Sequence, residues 1–159
     1  MAAGNTYTQI ASTTVGTATN TITFSSIPST YTDLVIVMNG TATASADVYL
    51  YYNTDTTNSN YSNTYLSGDG STAGSGRDPI PAIGLFYTTD SNIIANINNY
   101  SNATTYKTCI SRSNTAASLV LARVMMWRNT SAINQVAVKH SSGNFNTGAT
   151  FSLYGITAA

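Results

Sequence analysis

Charge is what this sequence has least of. Glutamate is missing altogether, and charged residues make up only 8% of 159 residues with a formal net charge of zero; about a quarter is usual. Without a basic excess the chain lacks the electrostatic footprint of a nucleic-acid binder. The six aspartates sit in turn-like settings such as TYTD, NTDT, SGDG and GRDP, and none forms a distinctive pair of the kind that cleaves a glycosidic bond. Cys109 stands alone, which excludes an internal disulfide. His140 is the one histidine, so any triad or Cys–His pair must use it. The order of residues leaves a Cys109–His140 pair open, although His140, beside SSGN at a strand end, reads as a solvated surface residue. Metal centres need His, Cys or clustered acids, and none is expected here. No apolar run approaches the roughly 20 residues that cross a bilayer. The opening MAAGNTYTQIAS has no basic segment leading into an apolar one, so no secretory leader is expected. Catalytic residues, cofactor and metal are all predicted to be none.

What fills the space is Thr, Ser and Asn, 63 residues of the 159, together with eleven tyrosines. Threonine loses rotamer freedom in a helix, while Ser and Asn divert hydrogen bonds to their own backbone. Thr and Tyr suit a pleated surface. Short apolar runs separated by turn signals recur along the chain, the pattern of a sandwich or barrel. They cover residues 6–13, 19–27, 31–40, 46–53, 82–88, 91–100, 104–111, 117–129, 132–140 and 148–156, with a possible short strand at 60–67. This predicts an all-β, antiparallel, jelly-roll-like β-sandwich of about ten strands, forming a single domain over residues 1–159. Leu34-Val35-Ile36-Val37 reads as a central strand buried on both faces. SLVLARVMMWR also fits the helical period, but Leu119, Leu121, Met125 and Trp127 share one strand parity that only Arg123 breaks. A strand with core-packed Met125, Met126 and Trp127 is expected.

The stretch SGDGSTAGSGRDPIP, residues 67–81, interleaves Gly68, Gly70, Gly74 and Gly76 with small hydroxyl residues and ends on Arg77 and Asp78 before the prolines. It is not a P-loop, because no lysine precedes Lys107. Its G-x-G-x-x-x-G spacing, with nothing helical after it, also fails the dinucleotide fingerprint. Residues 53–81 are therefore expected to form a long Gly/Ser/Asn-rich loop region. Charge is unevenly distributed: residues 1–106 hold all six aspartates and Arg77, whereas Lys107, Arg112, Arg123, Arg128 and Lys139 follow with no acid. Two readings stand, internal neutralisation between neighbouring strands or a basic face that docks on an acidic partner.

TYTQIASTTV, ITFSSIPSTYTDLVIV, NYSNTYLSGDGS, MWRNTSAINQVAV and GNFNTGATFSLYGI together resemble a family of tailed-phage virion proteins, cyanophage members among them. SIPSTYTDLVIV and the closing FSLYGI are the most specific of these segments. The resemblance implies a β-sandwich on the outside of a virion and brings no catalytic motif. Its first implication is a non-enzymatic capsid decoration (cement) protein, a homotrimer on the outer capsid surface made in the host cytoplasm, with the major capsid protein as partner and neither nucleic acid nor membrane. The alternative is a tail-fibre module that binds host-surface glycan. The first strand begins near residue 6 with no heptads before it, which favours decoration. Arg112, Arg123 and Arg128 are the candidate docking residues. Tyr51, Tyr61, Tyr65 and Tyr87 are the candidate surface contacts, since neighbours such as Tyr51 and Tyr52 cannot share one face of a strand.

Overall fold

The computed structural model describes residues 6–116 and 119–157. Twelve strands account for its regular structure: β1 Tyr7–Thr14, β2 Thr21–Phe24, β3 Asp33–Gly40, β4 Ala46–Tyr52, β5 Tyr61–Gly68 and β6 Ala73–Asp78, followed by β7 Ala82–Phe86, β8 Ser91–Ile97, β9 Lys107–Thr115, β10 Val120–Trp127, β11 Val136–His140 and β12 Thr150–Ile156. A single 3-10 turn, Asn58–Asn60, precedes β5. All pairings are antiparallel and form two sheets. The larger runs β1-β12-β3-β8-β9-β10-β5-β6 and the smaller β2-β11-β4-β7. The expected all-β antiparallel sandwich is what forms, with twelve strands where the sequence suggested about ten.

The core lies between the sheets, and period-two alternation builds it. In β9, Lys107, Cys109, Ser111, Ser113 and Thr115 point inward while the residues between them are exposed. In β10, Leu121, Arg123, Met125 and Trp127 share the inward parity, so Arg123 follows the pattern that it seemed to interrupt. β3 lies between β12 and β8, and Leu34, Val35 and Ile36 are all buried, as expected of a central strand. β7 lies across β8, β9 and β10. Ser111 Oγ donates to the Ile83 carbonyl at 2.5 Å and ties the two layers together.

The region expected to be a loop, residues 53–81, is largely a hairpin at the edge of the large sheet. β5 is templated along its length by β10, with Tyr61 opposite Trp127 and Gly68 opposite Val120. β6 then adds to β5 through backbone hydrogen bonds, which Gly and Ser can make as well as any residue. Side-chain patterning carries no trace of such a strand. Between the two, Asp69 Oδ1 accepts the Ser71 and Thr72 amides at 2.8 and 2.6 Å, and Gly70 takes φ +89°, a conformation natural only to glycine. Gly76 serves space instead: a Cβ there would lie 2.7 Å from Tyr65 Oη.

Candidate functional site

His140, Cys109 and Lys107 are taken up by the fold. His140, expected at the surface, is fully buried. Its Nδ1 accepts the Gly143 amide at 2.9 Å, which leaves Nε2 to carry the proton and face the Phe86 carbonyl at 3.4 Å. Burial outweighs that carbonyl and the field of Asp47, and lowers the His140 pKa below 6.5; the ring is neutral. Cys109 is buried, and burial pushes its thiol up to about 12, the opposite of an activated nucleophile. Lys107 is buried and donates to the carbonyls of Thr105 and Thr130 at 2.7 and 3.0 Å. Among the described residues no group of three or more His, Cys, Asp or Glu could hold a metal ion.

The three arginines do not form one docking face. Arg123 is 6% exposed and bonds Asp47 at 2.7 Å and Asn63 at 3.3 Å, with its guanidinium 5.2 Å from the centre of the Tyr65 ring. It is an internal residue. Its inward parity on β10 left it no other course, and Arg123–Asp47 is the one ion pair among the described residues. Arg128 is half-buried and donates to the carbonyls of Ser59 and Tyr61 and to Ser62 Oγ. Arg112 alone faces outward from the middle of the large sheet, exposed and with no hydrogen bond to a described residue.

Two of the candidate surface tyrosines are interior. Tyr61 is fully buried, donates to the Asp55 carbonyl at 2.8 Å and accepts the Tyr52 amide at 3.0 Å. Its ring stacks on Trp127, with centroids 6.3 Å apart. Tyr51 is only 7% exposed and its ring meets that of Tyr61 edge-on, with centroids 5.8 Å apart. The chain between β4 and β5 folds back over it, and Asn58 Oδ1 accepts its hydroxyl at 3.0 Å. Asp55 anchors that return by accepting Trp127 Nε1–H at 2.7 Å and the Asn60 amide group at 2.9 Å. Burial alone would raise the Asp55 pKa; these bonds, with the Thr57 amide, outweigh it and hold the carboxyl below its usual range. Tyr65 is half-buried under Arg123, and Tyr87 is half-buried just past β7.

The feature sequence reasoning missed is the outer face of the large sheet. Register sets Val37, Ile94, Arg112, Ala122 and Leu66 in one row across five strands. The next row holds Val35, Asn96, Ile110, Val124 and Thr64. Leu66 is 66% exposed, Val120 62%, Ile110 54% and Val124 49%. At the end nearer Val120 the surface dips into an open depression of about 620 Å³ walled by Leu66, Gly68, Arg112, Asn114, Val120 and Ala122. Asp33, in the last row beside Ile156, accepts the Asn99 amide at 2.6 Å and lies two rows from Arg112. The signal was present in β10, where Val120, Ala122 and Val124 make the outward parity as apolar as the inward one.

Among the described residues no helix is long and apolar enough to cross a membrane. No protein-family model matches the chain, and no curated protein matches it.

Proposed function

We propose that this chain is a non-enzymatic structural protein that docks on another protein through the outer face of its eight-stranded sheet. One observation carries the reading: Leu66, Val120, Ala122, Val124, Ile110 and Ile94 form a contiguous apolar surface over four adjacent strands. Apolar residues scattered singly over a surface are ordinary, but a continuous patch marks a site of contact. Arg112 in its midst asks for a carboxylate from the partner, and the apolar collar would keep water from that pair. With the resemblance to tailed-phage virion proteins, the partner is the major capsid protein and the role is decoration of the outer shell, as a homotrimer. The tail-fibre reading draws less support, because Tyr51 and Tyr61 are interior and Tyr65 lies under Arg123.

The test is the copy number of the chain against the major capsid protein in purified virions, by quantitative mass spectrometry. Near parity is expected. A few copies per particle would move the chain to the tail, and absence would end both readings. Val124→Thr with Ile110→Thr, which keeps β-branched side chains on both strands, should leave the unfolding temperature nearly unchanged and lower incorporation by about tenfold or more, as loss of central apolar anchors does elsewhere. Unchanged incorporation would acquit this face.

A further inference from the structure

A second outward-facing feature lies at the hairpin edge of the same sheet and stands independently of the docking proposal. Ser62, Arg77, Pro79 and Arg128 line a small cleft of about 260 Å³. Its polar groups are donors. Arg77, on β6 opposite Thr64, is exposed and makes no hydrogen bond or ion pair with another described residue, so all five of its N–H groups are free. Arg128 spends three N–H bonds, on the Ser59 and Tyr61 carbonyls and on Ser62 Oγ, and keeps two. Ser62 is buried, with only 7% of its surface exposed. Its oxygen already accepts from Arg128 at 3.0 Å, so its own proton remains to be donated. Pro79 contributes no N–H and gives the cleft an apolar wall.

No carboxylate lines the cleft. Asp78 is the nearest acid in sequence, but it lies opposite Asn63 on the inward parity of the hairpin, and its charge is felt by Asp47 and Tyr49. Asp55 spends its oxygens on Trp127, Asn60 and Thr57. Two cations, one held rigidly and one free to swing, thus share a pocket with a hydroxyl donor and no counter-charge. Isolated surface arginines are simply hydrated; a guanidinium fixed by two backbone carbonyls beside a second, unpaired one is a preorganised fork for planar or tetrahedral oxyanions.

We propose that the cleft between Arg77 and Arg128 is an oxyanion-binding site, with Ser62 donating the third hydrogen bond. Its ligand is a carboxylate or a sulfate- or phosphate-type group small enough to enter beside Pro79. Arg128 and Ser62 set the geometry, and Arg77 closes over the anion.

The test is a titration of the intact chain, labelled with nitrogen-15, with sodium acetate, sodium sulfate and sodium phosphate at constant ionic strength, with chloride as the reference anion. Saturable shifts of the Arg77 and Arg128 Nε–H signals and of the Ser62 amide are expected for at least one oxyanion. Which of the three saturates first tells a carboxylate site from a tetrahedral one. Arg77→Gln removes no bond in the fold and should keep the unfolding temperature. It should weaken binding by about tenfold or more, the usual cost of a charge-assisted bond. Shifts that stay linear with every anion, that chloride reproduces, or that Arg77→Gln leaves untouched would overturn the proposal.

Discussion

At the scale of single residues, the polar side chains this protein buries are the ones it depends on most. His140 is neutral and accepts a backbone amide through Nδ1, so protonation would both bury a charge and break that bond. With its folded pKa below 6.5, the unfolded chain binds the proton more readily. Stability from this residue is complete above about pH 6.5 and falls as pH drops below it. Urea midpoints measured from pH 7.5 to 5 should decline, and His140→Gln should flatten that slope whatever it does to absolute stability. Arg123 is the other such residue. Its Nε is buried without a partner and its remaining charge rests on Asp47, itself 30% exposed. Asp47→Ala should cost about 2–3 kcal/mol by urea unfolding, since it strands a buried cation. Adding Arg123→Met should recover most of that, because the apolar stem fills the same space without the charge. A double variant no better than Asp47→Ala would show that the pair itself supplies the stability.

At the scale of strands, pairing brings together segments that are far apart in the chain. β3 and β12 are hydrogen-bonded neighbours along seven residue pairs, from Thr150–Asn39 to Ile156–Asp33. Just before β3, the Tyr31 ring covers Gly155 so closely that a Cβ there would lie 2.3 Å from its Cγ. Gly155→Ala should therefore destabilise by about 1–3 kcal/mol, an overpacking cost, and Tyr31→Ser should relieve part of it. Additive losses in the double variant would mean that the ring does not set the limit. Most of this architecture could be read in advance. Alternation in β8 and β12 and the continuous apolar run of β3 announce strands because side chains there must choose between two faces; β9, whose inward residues are mostly polar, extends to Thr115 where the sequence suggested an end at 111. β6 could not be read: Ala, Gly, Ser and Gly make no such choice, and only the register of β5 reveals the strand. Arg123, Tyr51 and Tyr61 lie inside rather than at the surface for a related reason. Parity tells which residues share a face, but not that residues 53–60 fold over Tyr51, nor that Arg123 on the inner face would find Asp47.

At the scale of the whole molecule, the two faces of the large sheet divide the work. The inner face holds the core and the internal ion pair, and the outer face offers an apolar centre around Arg112 with the Arg77–Arg128 cleft at its rim. The chain's low charge is consistent with that division. Arg123 and Asp47 neutralise each other and Lys107 is consumed by carbonyls, so Arg77, Arg112 and the exposed Lys139 remain as uncommitted cations at the surface.

An open sheet of eight strands has two ends, and each could recruit another copy and grow into a filament. At β1 the ladder is broken by a shift between Gln9 and Ala11. At β6 the last strand reads Ala-Gly-Ser-Gly-Arg-Asp, which offers an incoming strand backbone bonds but almost no side chain to grip. Concentrated solutions should accordingly stay free of thioflavin-binding fibrils. Ser75→Val, which extends the exposed row beyond Leu66 and gives the terminal strand something to grip, should be the shortest route to them.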